Sequence, residues 1–230
     1  MWNRQELKSL AKSSLKDNYW KAFLIGLVLT FISGNGGGGG SSGRAGESAG
    51  EYVRYNPDII IIAFAILILA IAYRILLGYS LEVGSRKYFV QLSRFETPEK
   101  YYSYAFDREN YRGIIATMLL KDIYNFLWSL LFIIPGIIKS YSYRMVPYIL
   151  TDNPNMGADN AITLSRKMMD GNKFEAFVLD LSFLGWYLLG LLAFVVGIVF
   201  VYPYFYATDA QLYLALKKND EGYFDQGDFN

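Results

Sequence analysis

The chain has 230 residues, of which 53% are apolar, 17% aromatic and only 19% charged, so it is too apolar for an ordinary soluble domain of this length. It contains no cysteine and no histidine, which excludes disulfides, thiol nucleophiles, imidazole acid–base chemistry and the commonest zinc ligands. We therefore expect no catalytic, cofactor or metal site and no enzyme activity. The net charge of +1 conceals the gathering of basic residues in particular loops.

Residues 1–18 predict an amphipathic helix on the cytoplasmic surface of a membrane. Basic side chains recur at every fourth position beside an apolar stripe, which is typical of helices that lie in the lipid interface. The basic residues, which we expect to meet anionic headgroups, are Arg4, Lys8, Lys12 and Lys16, and the stripe consists of Leu7, Leu10, Ala11 and Leu15.

The next two segments predict a first crossing and an external loop. Tyr19, Trp20 and Lys21 form an interfacial anchor before the apolar run 22–34, which lacks the small-residue site of a cleaved signal peptide. Residues 35–57 are rich in glycine and serine and predict a flexible extracytoplasmic loop. A phosphate-binding loop is excluded, because no Gly-Lys-Ser/Thr follows.

A second crossing is predicted over residues 59–77, where Arg74 is the only charge. As a helix this run would be about 28 Å long, close to the thickness of the hydrocarbon layer. Residues 81–112 then mix basic and aromatic side chains. This composition also occurs in nucleic-acid binding, but beside two crossings it favours a cytoplasmic interfacial segment and no nucleic-acid partner.

The long apolar stretch from Ile114 to Leu150 predicts a hairpin that turns near Pro135. A straight helix of this length would be about 55 Å long, beyond the thickness of the membrane. A turn at Pro135 also keeps the basic residues of the segment 151–174 on the cytoplasmic side.

The segment 151–174 predicts a second interfacial helix that ends at Gly171. Its apolar stripe includes Met168 and Met169 and favours contact with lipid, although such a stripe is also suited to a partner protein.

The last apolar run, from Leu181 to Thr208, carries no charge, and Pro203 predicts a second hairpin that separates residues 181–202 from residues 204–216. Residues 217–230 are then a cytoplasmic tail.

These elements predict an all-α protein, a polytopic transmembrane helical bundle. We expect residues 19–230 to form a single membrane-embedded domain with both termini in the cytoplasm. The bundle would have about six helical segments, although four full crossings also fit because several segments are short.

Ionisable residues inside apolar helices are costly in lipid and are therefore candidates for a functional site. Asp180 is the strongest of these, and it requires a partner such as Arg144 or Lys139. Arg74 is a further candidate, although its position allows it to extend towards the cytoplasmic interface.

Several runs of the sequence, taken in order, resemble the bacterial membrane proteins of the domain of unknown function family 975. They are residues 127–139 (LWSLLFIIPGIIK), 141–143 (YSY), 147–150 (PYIL), 153–154 (NP), 161–162 (AI), 165–169 (SRKMM), 179–183 (LDLSF), 185–186 (GW) and 202–204 (YPY), with Gly171, Lys173 and Thr208. The opening basic helix and Trp20 are also similar. The pattern further resembles the membrane domain of some glycerophosphodiesterases, which implies a six-helix bundle with an interfacial helix between hairpins. The family implies no reaction, cofactor or ligand.

Two functions fit these observations best. The absence of histidine, cysteine and an acid–base pair favours a non-enzymatic membrane scaffold, which binds lipid, a partner protein or a second copy of itself. The alternative is a small transporter, whose helices are interrupted at Pro135, Pro147 and Pro203 and whose polar cavity lies near Asp180 and Arg144. An enzyme acting on lipid headgroups is less favoured, because the carboxylates of the sequence are scattered.

Overall fold

Helices make up nearly all of the residues described by the computed structural model, which are residues 2–33, 58–192 and 196–219. No strand occurs in these ranges, and the all-α prediction is confirmed. The helices are α1 (Arg4–Leu15), α2 (Tyr19–Ile32), α3 (Asp58–Tyr73), α4 (Tyr79–Ser93), α5 (Tyr101–Phe106), α6 (Arg108–Leu131), α7 (Ile133–Ser142), α8 (Val146–Asp152), α9 (Ala158–Met168), α10 (Lys173–Leu181), α11 (Leu184–Leu192) and α12 (Val196–Asn219). A π-helical turn, Arg74–Gly78, joins α3 directly to α4. The predicted flexible loop over 35–57 and residues 220–230 of the predicted tail lie outside the described residues.

Helix α1 packs against the protein itself. Its first turn is capped by Asn3, whose side chain accepts a hydrogen bond from the backbone N–H of Gln5. Leu7, Ala11 and Leu15 are buried, with α12 as the main neighbour. The expectation that this apolar stripe faces lipid is therefore wrong, because the stripe packs against α12.

Helix α4 lies at the centre of the bundle and contacts α2, α5, α8 and α12. Its apolar residues Tyr88, Phe89, Val90 and Leu92 are each at most 3% exposed. The sequence predicts an interfacial segment over 81–112, and the structure corrects this for the part that belongs to α4. The mixture of charged and aromatic residues there reflects a core helix that carries buried ion pairs.

The hairpin predicted near Pro135 is confirmed between α6 and α7. Phe132 is extended, with φ −158° and ψ 145°, and separates the two helices. The helices then run back along each other so closely that a Cβ atom built on Gly136 would lie 2.9 Å from the Cα atom of Ser129. This approach requires a residue without a side chain.

Substitution of Gly136 by alanine is expected to destabilise the hairpin by about 1–3 kcal/mol, because the added methyl group meets backbone that cannot move away. The measurement is the midpoint of thermal unfolding of the purified protein in detergent. Gly185→Ala is the matched control, since a Cβ atom at Gly185 would meet nothing within 4 Å in the described part of the chain. An equal shift for both variants would contradict the packing argument.

The second hairpin was predicted at Pro203, and this position is wrong. Pro203 lies inside the continuous helix α12, and the chain reverses before it, between α11 and α12. These two helices pack closely, because a Cβ atom on Gly190 would lie 2.6 Å from the backbone nitrogen of Ile198. Residues 193–195, which connect them, lie outside the described ranges.

The surroundings of Pro203 show how a proline is tolerated inside a helix. Proline cannot donate a backbone hydrogen bond, so the carbonyl of Val199, four residues earlier, loses its usual donor. In the same turn, the hydroxyl of Tyr19 donates to the carbonyl of Phe200 at 3.0 Å. Gly26 of α2 approaches Pro203 directly, since a Cβ atom on it would lie 3.4 Å from the proline nitrogen. Helix α2 therefore supports α12 at this point.

Helix α9 is also covered by the protein. Its apolar stripe, including Ala161, Ile162 and Met168, is buried mainly against α6 and α8. The prediction that this stripe faces lipid or a partner is wrong for the same reason as for α1. Gly171 follows the helix with φ +72°, a conformation that glycine adopts readily, and its predicted role as a stop is confirmed.

Large apolar side chains are exposed mainly on α3, around the α6–α7 turn and on α11. Two helical stretches among the described residues, Ile61–Ser93 and Arg108–Leu131, are long and apolar enough to cross a membrane, and Tyr19–Thr30 is a shorter apolar helix. Core helices of soluble proteins are mostly buried. In contrast, only 6% of the 18 most apolar consecutive residues of Ile61–Ser93 are buried.

Candidate functional site: a buried ion-pair network around a polar cavity

Three charged residues lie along one side of the helix that runs through the π turn into α4. Glu82 accepts a hydrogen bond from Arg74 at 3.0 Å and one from Arg86 at 3.1 Å. Arg86 is four residues beyond Glu82, which places the two side chains on one helix face. The Glu82 side chain is only 3% exposed, so both arginines compensate a buried carboxylate.

Arg144, in the turn between α7 and α8, binds two carboxylates from two other helices. Its Nη1 and Nη2 atoms donate to Asp180 of α10 at 2.7 and 2.8 Å, and its Nε atom donates to Asp209 of α12 at 2.8 Å. Planar two-pronged contacts of this kind are the strongest that arginine makes with a carboxylate. Arg144 thereby joins α10 and α12 to the α7–α8 turn.

Three further contacts connect these groups into one network. Arg86 lies 3.7 Å from Asp209, Arg74 lies 3.8 Å from Asp122 of α6, and Lys121 lies 3.1 Å from Asp122. Positive and negative residues alternate along the whole series. We refer to it as the ion-pair network, which consists of Lys121, Asp122, Arg74, Glu82, Arg86, Asp209, Arg144 and Asp180.

Tyrosine hydroxyls complete the hydrogen bonding of the three aspartates in the network. Tyr79 donates to Asp122 at 2.8 Å, Tyr141 donates to Asp180 at 2.8 Å, and Tyr148 donates to Asp209 at 2.9 Å. Each aspartate thus has a neutral donor in addition to its cations, as a buried carboxylate requires.

The ion-pair network lines a cavity of 420 Å³. Its other lining residues include Ser33, Asn125, Tyr143 and Pro147. Exposure of the charged side chains is highest at Asp122, at 36%, and at Arg74, at 29%, which mark the mouth of the cavity; it falls to 5% at Asp209 and is 27% at Asp180. The residues next to Pro147 on the inner side, from Val146 to Leu150, are fully buried.

Three buried polar atoms on the cavity lining have no hydrogen-bond partner within the described residues. They are Ser33 Oγ, Arg86 Nε and Asn125 Oδ1. Leaving such an atom unpaired costs free energy, so each is suited to a water molecule or to a polar solute.

The structure places three of the four residues singled out from the sequence in this network. Asp180 pairs with Arg144, and Arg74 lies at the mouth of the cavity. Lys139 lies elsewhere, with its Nζ atom 4.5 Å from the centre of the Trp128 ring. Arg74 donates to Glu82 and to the carbonyl of Ile32, so its side chain is held against α2 and α4.

The other five members of the network were not among these candidates, and for three of them, Glu82, Arg86 and Asp209, the sequence contains a signal. Glu82 and Arg86 have the four-residue spacing of a helical ion pair and follow Arg74 in the same helix. Asp209 directly follows the uncharged run that ends at Thr208. An isolated carboxylate in that position is itself a candidate for a buried partner of arginine.

A second cluster joins three helices at the end of the bundle that lies away from the cavity. Asp152, the last residue of α8, accepts hydrogen bonds from Arg94, from Tyr213 and, at 2.6 Å, from Lys217. These three donors compensate a carboxylate whose side chain is only 13% exposed.

Substitution of Asp152 by asparagine is expected to lower the unfolding temperature, because Arg94 and Lys217 would lose the carboxylate that compensates their charges. Thermal unfolding of the purified protein in detergent measures the loss, with exposed Asp159→Asn as the control. A loss no larger than that of Asp159→Asn would contradict the argument.

The fold and the site define an all-helical protein with an ion-pair network around an internal polar cavity and with helices able to cross a membrane. Residues 130–220 match the model of the family described as "Protein of unknown function (DUF975)". The resemblance stated from the sequence is therefore confirmed over this part of the chain, which contains Arg144, Asp180 and Asp209. No curated protein and no solved structure matches the chain.

Proposed function

We propose that this chain is an integral membrane protein of the bacterial plasma membrane that crosses the bilayer several times and binds a small polar solute in the cavity during its passage across the membrane. The observation that carries the proposal is the cavity of 420 Å³ lined by the ion-pair network.

The distribution of exposed apolar side chains supports the membrane part of the proposal. A soluble protein rarely exposes a large contiguous apolar surface. Here such side chains cover α3 on all sides from Ile61 onwards, surround the α6–α7 turn and lie along α11. They include Ile61, Ile62, Phe64, Ile66, Leu67, Ile68, Leu69, Phe126, Leu130, Leu131, Phe132, Ile134, Leu184, Leu188 and Leu189. Six segments then cross, namely α2, α3 with α4, α6, α7 with α8, α10 with α11, and α12.

Distances along the helices favour a position of the ion-pair network near the middle of the bilayer. At a rise of about 1.5 Å per residue, Asp122 lies about 14 Å from Leu131 and about 15 Å from Arg112 along α6. Asp209 lies about 20 Å from Val196 and about 12 Å from Lys217 along α12. The hydrocarbon layer is roughly 30 Å thick, so both aspartates would be well inside it.

Charged residues at this depth support a role in solute passage. They are expensive in lipid, and they commonly face a water-filled pathway or a substrate. A cavity of this size falls within the usual range for small-molecule sites, roughly 300–1,000 Å³. Its unpartnered Ser33, Arg86 and Asn125 atoms give a polar solute groups to bind.

The basic face of α1 supports an orientation with the amino terminus in the cytoplasm. Arg4, Lys12 and Lys16 are exposed and available to anionic headgroups. Lys8 contributes less to that face, because its Nζ atom donates to the carbonyl of Ser182 and lies 4.4 Å from the centre of the Phe183 ring.

A membrane scaffold is the second candidate, and the mutual pairing within the ion-pair network favours it. Each of the eight charges has an opposite charge within 4 Å. A network that is paired in this way is also consistent with a purely structural role, in which it holds the helices together. On this reading the cavity is closed to solutes, and α3 provides a surface for a partner protein or a second copy. Cysteine labelling at two adjacent positions separates the two functions.

Single cysteines introduced at Asn125 and at Phe126 test the proposal in native membranes with a membrane-impermeant thiol reagent. The chain has no natural cysteine, so the background is clean. We expect Asn125→Cys to react, because Asn125 lines the cavity and the thiolate that reacts requires water. We expect Phe126→Cys to remain unlabelled although Phe126 is 66% exposed, because its neighbour in the membrane is lipid.

The two adjacent positions give a distinct result for each reading. Labelling at both would show water on both faces and would contradict the membrane placement. Labelling at neither, with normal insertion, would favour the closed scaffold. Only the combination of a reactive Asn125→Cys and an unreactive Phe126→Cys agrees with a solute-binding cavity inside a membrane protein.

A further inference from the structure

The mouth of the cavity contains the most accessible link of the ion-pair network. Arg74 and Asp122 approach only to 3.8 Å, and their side chains are 29% and 36% exposed. The neighbouring Arg74–Glu82 contact is 3.0 Å long, and the Glu82 side chain is 3% exposed. A bound solute would therefore separate Arg74 from Asp122 more readily than any deeper pair.

Two of the unpartnered polar atoms belong to residues next to this link. Arg74 donates to the carbonyl of Ile32, and Ser33 is the next residue in the chain. Asn125 lies one helical turn beyond Asp122 on α6, which places the two side chains on one face. Ser33 Oγ, which can donate, thus accompanies the cation, and Asn125 Oδ1, which only accepts, accompanies the carboxylate.

The charges that line the cavity cancel. The charged residues of the lining are the eight members of the ion-pair network, four cations and four carboxylates. A solute with a net charge would leave one charge uncompensated in a low-dielectric site, which is unfavourable. A solute that carries one positive and one negative group leaves the balance unchanged.

We propose that the solute is a small zwitterion that binds between Arg74 and Asp122. This proposal rests on the proposed function and specifies its substrate class. The anionic group of the solute contacts Arg74 and Ser33, and its cationic group contacts Asp122 and Asn125. The hydroxyl of Tyr79, which already donates to Asp122, holds that carboxylate in place while Arg74 is displaced from it.

The test measures how far solutes protect Asn125→Cys from the impermeant thiol reagent. The probes are glycine and glycine betaine, with acetate and methylammonium as matched fragments that carry only one of the two charges. We expect the zwitterions to protect at concentrations at least about tenfold lower than either fragment, because a fragment leaves one charge of the link unpaired.

Two substitutions at the mouth change the charge balance in opposite directions. Asp122→Asn gives the lining one surplus positive charge and should improve protection by acetate relative to methylammonium. Lys121→Gln gives one surplus negative charge and should do the reverse. Both variants are read against Asn125→Cys alone. That reporter loses the Asn125 acceptor but keeps all eight charges of the lining, so it already tests the charge argument if one of the variants fails to insert.

The outcomes separate this proposal from the function on which it rests. Equal or better protection by a single-charge fragment, or labelling that none of the probes slows, would overturn the zwitterion while the water-filled cavity stands. Failure of Asn125→Cys to react in the absence of solute would overturn the solute-binding function itself. Protection by the zwitterions alone supports both.

Discussion

Substitution of Arg144 by methionine is expected to lower the free energy of unfolding by about 3–5 kcal/mol, the usual cost of removing one partner of a buried ion pair. Arg144 is the residue that neutralises both Asp180 and Asp209. Methionine fills a similar volume but leaves two aspartates close together without their shared cation. Unfolding of the purified protein in mixed detergent micelles measures the loss.

Two further variants test the cause of this loss. Adding Asp180→Asn and Asp209→Asn to Arg144→Met removes the uncompensated charges and should restore part of the stability. Lys139→Met is the matched control, because Lys139 contacts the Trp128 ring near the surface, and it should cost less than about 1 kcal/mol. If Arg144→Met were as mild as Lys139→Met, the network would not stabilise the fold.

Substitution of Glu82 by glutamine should have an effect of similar size, about 3–5 kcal/mol. The amide keeps the shape of the side chain but removes the negative charge that lies between Arg74 and Arg86. Both arginines would then depend on the 3.7–3.8 Å contacts with Asp209 and Asp122. The same unfolding measurement reports the loss.

The control for Glu82→Gln is Asp170→Asn. Asp170 forms an ion pair with Lys173, but its side chain is 84% exposed, and surface pairs of this kind contribute less than about 1 kcal/mol. Comparable losses for the two substitutions would mean that burial does not increase the importance of the charge, contrary to the position of Glu82 in the bundle core.

The features that the sequence predicted correctly are those that depend on local chemistry. The α6–α7 turn follows from a run too long for one helix together with the Pro135–Gly136 pair. The stop after α9 follows from Gly171, which adopts a positive φ. In both cases, residues within one or two helical turns determine the outcome.

The errors concern features that depend on distant parts of the chain. An apolar stripe on α1 or α9 has the same periodicity whether lipid or another helix covers it, so periodicity alone cannot choose between them. Pro203 predicts a break, but α12 continues through it, with Gly26 packed against the proline and Tyr19 bonded to the carbonyl of Phe200 in the preceding turn. Those contacts join residues about 180 positions apart.

For the same reason, the sequence predicts only three of the eight members of the ion-pair network. Asp180 and Arg144 stand out because each interrupts an apolar run. Arg86 and Glu82 do not, because they lie among other charged and aromatic residues whose composition is typical of an interface. Their place in the site depends on the burial of α4, which follows only when α2, α8 and α12 surround it.

The order of the charges along the polypeptide has a consequence for its biosynthesis. The members of the ion-pair network up to and including Arg144 carry two more positive than negative charges, and Asp180 and Asp209 supply the balance. Translation proceeds from the amino terminus, so a nascent chain that has reached only Arg144 carries a surplus of two positive charges, and Arg144 has neither of its carboxylate partners. The earlier helices can therefore complete their assembly only after the last hairpin has been synthesised and has joined them.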